Sequence, residues 1–437
     1  MTKESDHQRL FDLWRAIGQA GGVNAYVQQQ LRERGFVLER KKTEELKPAE
    51  LAAYKKSLKE EAAERRRLKK EAWQAYRETH VVHLGEGVFW NDESDIDRWD
   101  QPNAEERAAE NELPPIDSPA KLAEAMGLRL PELRWLAFHR EAAAQIHYRR
   151  FTIPKRDGTP RAIWAPLPKL KAAQRWILRN VVERLPVHGA SHGFLAGRSI
   201  ATNAAVHTGA RVVLKVDLKD FFPTVTFRRA KGIFRHAGYR EQVATLMALV
   251  CTEAPREIVE HEGRKYFVAL GPRSLPQGAP TSPALTNTLC QRLDRRLTGL
   301  AARLGWRYTR YADDLTFSLP EAHQDKPKLG LLLGSIGRIA ADEGFRVHPD
   351  KTHVARSGGR QKVTGLVVNG AAAPPRVPRA FKRQVRAAIH NLSRGLPLKE
   401  GESLARLAGY AAYVYMTDAR LGAKLLAQLA ALEGSSR

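Results

Sequence analysis

Tyr311-Ala312-Asp313-Asp314 places two adjacent carboxylates between two runs rich in aromatic and β-branched residues, Trp306–Arg310 and Leu315–Leu319. That pattern predicts a β-hairpin with Asp313-Asp314 at or near its tip. Successive side chains on a strand point to opposite faces, so only a tight turn lets both acids approach one site. Like charges held that close repel unless cations lie between them. Two Mg²⁺ ions, with Mn²⁺ as a substitute, would satisfy them and would support phosphoryl transfer. Taken alone, Asp-Asp fits a solvated turn better, because turns favour Asp for local reasons.

A third acid changes the balance. Val212, Val213, Leu214 and Val216 predict a strand leading into Asp217, which is followed by Leu218-Lys219-Asp220-Phe221-Phe222-Pro223. A carboxylate ending a buried strand is costly unless it is paired or metal-bound. Capping of the next helix is the competing role for Asp217. Together Asp217, Asp313 and Asp314 supply the carboxylates of a two-metal centre. Between them lies Leu275-Pro276-Gln277-Gly278-Ala279-Pro280-Thr281-Ser282-Pro283. Gly278 permits close backbone approach, and Ser282-Pro283 starts a helix through Leu285, Leu289 and Leu293. Gln277 is then placed beside a sugar or base, unless the segment is an ordinary Pro/Gly loop.

Composition narrows the partner. The 437 residues carry 72 Lys and Arg against 48 Asp and Glu, a net charge of +24. The pI is near 10.1. Such an excess points to a polyanion, foremost nucleic acid, whose phosphates release counterions on binding. At 43% hydrophobic residues the chain is globular, with room for two or three domains. Cys251 and Cys290 are too few for a disulfide framework or a Cys-rich zinc site, which fits a reducing cytoplasm. The first residues show no signal-peptide pattern, and no apolar run is long enough to span a membrane.

The elements that must position these acids follow a change of texture. Residues 1–110 predict a charged helical extension, with helices over 7–34 broken at Gly21-Gly22 and a long helix from Ala49 to about Glu78. Within that helix Lys55–Lys70 holds eight basic and three acidic residues. This suits a solvated helix as well as an RNA-contacting arm. Asn91–Glu112 and Pro114-Pro115 read as a linker. Over 111–370 strand-length apolar runs alternate with helices, which predicts an α+β or α/β core. Residues 371–437 are helical, basic and rich in Ala and Leu, as a separate helical subdomain would be.

In this order, the Asp217-x-x-x-x-Phe222 strand, the Pro276-Gln277-Gly278 loop and the Tyr311–Asp314 hairpin resemble the palm of a reverse transcriptase. Ile153-Pro154-Lys155-Arg156-Asp157-Gly158-Thr159-Pro160-Arg161 looks like the fingers hairpin of that family. Gln174–Leu178, His192–Ile200 and Lys351 match neighbouring blocks of it. Two shorter motifs are similar to those of retron reverse transcriptases: Asn203-Ala204-Ala205-Val206-His207 and Val363-Thr364-Gly365.

The resemblance implies an α+β right-hand polymerase with fingers, palm and a helical thumb over 371–437, preceded by the helical extension. It implies metal binding by Asp217, Asp313 and Asp314. Lys155, Arg161, Phe222, Gln277 and Lys351 would contact the dNTP, with Phe222 as steric gate against a ribose 2′-OH. Asn203, His207, Val363, Thr364, Gly365, Arg379, Lys382, Arg383 and Arg386 would contact RNA. It further implies a cognate structured non-coding RNA as template and priming from a guanosine 2′-OH, giving branched msDNA. Host ribonuclease H would remove template, and an effector protein would act alongside in phage defence. Group II-like, diversity-generating and CRISPR-linked reverse transcriptases are the rival branches, and a catalytically silent RNA scaffold is the rival class.

Overall fold

The structure is a computed structural model and describes residues 3–34, 47–90, 100–154, 158–323, 326–370, 373–398 and 401–435. The chain divides into two units, Met1–Tyr76 and Arg77–Arg437. The first holds α1 (Lys3–Gln19), α2 (Val23–Glu33) and most of α3 (Pro48–Thr79). Gly21 and Gly22, both at positive φ, separate α1 from α2, a backbone region glycine enters without a Cβ penalty. Along α3, Lys56 pairs with Glu60, Arg65 with Glu61, and Arg67 with Glu64 and Glu71. These pairs one turn apart offset part of the positive excess read from the sequence.

The second unit begins with α4 (Ala104–Glu110), α5 (Pro119–Ala125), α6 (Leu130–Ala137), β1 (Ala142–Ala143), β2 (Tyr148–Pro154), β3 (Pro160–Pro166) and α7 (Pro168–Asn180). Then come α8 (Ile200–Ala205), β4 (Ala210–Lys219), α9 (Phe227–Ala237), α10 (Glu241–Cys251), β5 (Arg256–His261) and β6 (Arg264–Ala269). Next are α11 (Ser282–Leu289), α12 (Gln291–Arg303), β7 (Arg307–Tyr311), β8 (Asp314–Pro320), α13 (Leu329–Asp342) and β9 (Arg346–Arg356). The chain closes with β10 (Lys362–Val363), β11 (Leu366–Val367), α14 (Arg379–Ser393), α15 (Leu404–Tyr415) and α16 (Ala419–Ser435). Among the described residues no helix is long and apolar enough to cross a membrane.

The segment expected as a linker contains α4, while its residues 91–99 lie outside the described residues. Ala104 and Ala108 of α4 pack so closely on Gly238 that a Cβ there would collide with their backbone. Leu113 and Ile116 then enter the main core. Helix α4 has no long apolar side chain to mark a buried stripe, so hydrophobic periodicity misses it.

The central sheet is antiparallel in the order β7-β8-β4-β9. Strand alternation sorts its residues cleanly. Val212, Leu214, Val216 and Leu218 of β4 and Leu315, Phe317 and Leu319 of β8 face the main core. Residues of the other parity, including Asp217 and Asp314, face away from it. A second core joins Val213, Ala204, Val363 and Leu366 to Val385, Ile389, Leu407, Val414 and Leu425 of α14–α16. The C-terminal helices are therefore anchored on α8 and the β10–β11 hairpin.

Candidate active site

The hairpin forms as expected: Tyr311 pairs with Asp314, leaving Ala312-Asp313 as a two-residue turn. Ala312 sits at φ 56, a left-handed value that a non-glycine residue holds only when its surroundings enforce it. Asp314 lies directly opposite Asp217 across the β4–β8 ladder. The Leu218 N–H donates to the Asp313 carbonyl at 3.0 Å, so the turn is stitched to the end of β4. Burial, together with the charges of Asp314 and Asp217, pushes the Asp313 carboxyl up to about 6. Burial also raises Asp314, against a lowering influence of Lys215.

Lys351 reaches the same acids through an irregularity in β9. His353 faces Lys215 and His348 faces Asp217, so β9 carries extra residues between the two pairs. Pro349, which has no N–H for the ladder, lies in that bulge. From it Lys351 Nζ reaches Asp217 Oδ1 at 3.0 Å.

A buried network holds the turn from behind. Arg310 donates to both oxygens of Asp294, from Nε at 2.9 Å and from Nη2 at 2.8 Å. Its Nη1 donates to Asn287 Oδ1 at 3.0 Å and to the Ala312 carbonyl at 3.2 Å. Tyr308 Oη donates to Asp294 Oδ1, and Asn287 Nδ2 donates to the Gly193 carbonyl, each at 2.8 Å. Gly193 lies against the turn, where a Cβ would stand 2.8 Å from the Ala312 nitrogen. Motif reading missed Asp294 and the role of Arg310. The available signal was parity: Arg310 shares a strand face with Tyr308, and Asp294 sits among Leu293, Leu297 and Leu300 on α12.

Of the residues expected at the nucleotide, Phe222 is half-buried beside Phe221, which faces the core as predicted. Gly278, at φ 120, lets the Pro-Gln-Gly loop approach β3, and the Trp164 N–H donates to the Gln277 carbonyl at 2.7 Å. Arg161 is exposed on β3, opposite Ile153 of β2. Lys155 lies outside the described residues.

The two shorter motifs meet each other. Asn203 Nδ2 lies 3.5 Å from Thr364 Oγ1, which donates to the Ile200 carbonyl at 3.0 Å. Direct RNA contact by Asn203, His207 and Val363 does not hold in this structure, since all three side chains are 0% exposed. His207 instead bonds Ser318 Oγ and Thr309 Oγ1, both at 2.7 Å, and so pins α8 to the strands of the acidic hairpin. Burial lowers its pKa to about 3, so the ring is neutral. Thr364 is half-buried and Gly365 exposed. On α14, Arg379, Arg383 and Arg386 are exposed, whereas Lys382 is tied to Asp418 at 2.7 Å.

Among the described residues no three acidic, His or Cys side chains already converge on a single metal position. The chemistry of the set nonetheless fits divalent cations. Hard carboxylate oxygens crowd one turn, their mutual charge raises Asp313, and an ammonium group already neutralises Asp217. A two-carboxylate hairpin facing a third acid across an antiparallel sheet, with helices packed behind it, defines a right-hand nucleotidyl-transfer polymerase.

Residues 153–377 match the family described as reverse transcriptase (RNA-dependent DNA polymerase). The chain is 54% identical to the Retron Mx162 reverse transcriptase of Myxococcus xanthus, over 98% of this chain and 90% of that protein. It is 45% identical to the Retron Mx65 reverse transcriptase of the same organism, over 70% of each chain. To the Retron Ec86 reverse transcriptase of Escherichia coli it is 30% identical, over 74% of this chain and 91% of that one. The chain belongs to the reverse transcriptase family, in its bacterial retron branch, and is an RNA-directed DNA polymerase using an RNA template and dNTPs.

Proposed function

We propose that the protein copies part of one cognate structured RNA into DNA, starting from a guanosine 2′-OH and leaving branched msDNA. The observation that carries this reading is the 54% identity to a retron reverse transcriptase across nearly the whole chain. Asp217, Asp313 and Asp314 would hold two Mg²⁺ or Mn²⁺ ions, which lower the pKa of the attacking hydroxyl and neutralise the departing pyrophosphate. Lys351, freed from Asp217 when cations bind, would stand beside the leaving group. Arg161 and Lys155 would grip the triphosphate, Arg through its planar fork and Lys as a point charge. Phe222 would close the space a ribose 2′-OH needs, and Gln277 would face the sugar or base.

Template choice would lie with the C-terminal helices acting as a thumb. Arg383, Arg386, His390 and Lys424 line a groove of about 940 Å³ between α14 and α16. Exposed cations along one such groove suit the backbone of an A-form stem. Thr364 and Gly365 would present the β10–β11 hairpin to the same RNA. On this reading the setting is cytoplasmic, host ribonuclease H trims the template, and an effector protein completes a defence against phages.

The test is to purify the protein with the nucleic acid made from its own locus. An RNA-linked DNA that debranching enzyme separates into two strands is the expected result. Linear DNA primed only from 3′ ends would overturn the proposal.

A further inference from the structure

A second cavity, of about 610 Å³, opens beside α6 and β1 and includes none of the three carboxylates in its lining. Arg77, Arg134, Trp135, Phe138 and Arg140 line it together with the buried Glu253. Glu253 is already engaged, by Arg256 at 3.2 Å and Arg273 at 3.9 Å. Arg77, Arg134 and Arg140 have no ion pair among the described residues, and the charges of Arg77 and Arg140, added to burial, lower the Arg134 pKa. Three guanidinium groups crowded without a counter-charge favour an incoming anion.

Two of the three are held in place by neighbours. Arg134 donates to the His83 carbonyl at 3.1 Å, and the guanidinium carbons of Arg134 and Arg140 lie 5.3 and 5.1 Å from the Phe138 ring centre. Trp135 stands at the same cavity with 52% of its surface exposed, braced edge-on by His147 at 4.2 Å. An exposed indole beside unpaired arginines is a stacking platform next to a phosphate clamp. Beyond His147, strand β2 exposes Arg149, Arg150 and Phe151.

We propose that this cavity binds a phosphate-and-base unit of single-stranded RNA, as a holding site for the template molecule outside the polymerase centre. The proposal rests on the RNA-directed activity above, and its test separates the two. Full-length protein is titrated with a fluorescein-labelled oligo(A) RNA of about twelve nucleotides. In parallel, dNTP incorporation is measured at saturating concentrations of a pre-annealed poly(rA)–oligo(dT) duplex.

Trp135→Leu and Arg140→Gln are each expected to weaken oligo(A) binding about ten-fold. Arg134→Gln with Arg140→Gln should also flatten the salt dependence of binding by about 0.7 in log–log slope per arginine. Incorporation on the pre-annealed duplex should stay at the wild-type rate. The two single variants change exposed side chains, so they carry the test even if Arg134→Gln disturbs folding. Unchanged oligo(A) affinity and slope with normal incorporation would overturn the holding site. So would AMP competing as well as the oligonucleotide, which would make the cavity a mononucleotide site. Equal loss of incorporation and binding would overturn it too, by placing the cavity inside the polymerase site.

Discussion

Arg310 and Asp294 form an ion pair with both side chains fully buried, 2.8 Å from Nη2 to Oδ2, with Arg310 two residues before the Ala312-Asp313 turn. Arg310 spends a further donor on the Ala312 carbonyl, inside the left-handed turn that presents Asp313. The pair therefore sets the geometry of the acids without meeting substrate. Removing one partner leaves a buried, uncompensated charge, so Asp294→Asn should cost about 3–5 kcal/mol of stability. The informative variant is Arg310→Met with Asp294→Leu, which removes both charges and should recover much of that loss. Its kcat should stay well below wild type while KM for dNTP changes little. Full recovery of kcat would show that the pair serves stability alone.

His207 makes an acid-sensitive joint between α8 and the hairpin strands. Its folded pKa, about 3, lies below the ordinary 6.5 because burial penalises the charged ring. The unfolded chain thus binds the proton more readily, so the contribution of His207 is complete above about pH 6.5 and shrinks as pH falls toward 3. By about pH 5 the loss is on the order of 2 kcal/mol. Urea unfolding of wild type and His207→Gln should show a stability gap at neutral pH that narrows on acidification. A gap independent of pH would remove the buried ring as its source.

Asp313 titrates in the opposite sense. Its folded pKa, about 6, is raised by burial and by Asp314 and Asp217. Ionising it therefore costs folded stability as pH rises through about 6, and a bound divalent cation offsets that cost. Protons and Mg²⁺ compete for the same oxygens. The acid limb of the activity profile should lie near pH 6 at limiting Mg²⁺ and shift to lower pH as Mg²⁺ is raised. Asp313→Asn should abolish synthesis while RNA binding stays within about two-fold of wild type. An acid limb that ignores Mg²⁺ would contradict the competition.

Phe222 follows Asp220, a left-handed residue at φ 50, and is half-buried where Phe221 is buried. Its ring is thus the less buried of the two. Phe222→Ala should relax discrimination against rNTPs by about ten-fold or more, read as the ratio of kcat/KM for a dNTP and its rNTP. Phe221→Ala should instead lower stability, through the cavity left against Phe345. An unchanged ratio in Phe222→Ala would reassign the gate.

The sequence by itself determined the acidic hairpin, the strand ending in Asp217 and the order of the motifs, because these depend on turn chemistry and strand period, which are local. The inward turn of Phe221 is not local in that sense: it shares the parity of Asp217, and it reaches the core because the chain leaves β4 through the left-handed Asp220. What it could not determine is which distant groups share one space. Asn203 meets Thr364 across 161 positions, and His207 meets Thr309 and Ser318 across more than a hundred. Both motif residues thereby become parts of a buried joint; the motifs point to RNA, with a buried helix histidine as the competing role for His207. Asp294 gave no motif at all, because a buried acid declares itself only when its arginine is seen folded onto it. Lys351 reaches Asp217 only because β9 bulges, and the pairing register that creates the bulge is a property of two strands together. Local chemistry singled out the three acids; long-range packing decided what holds them in place.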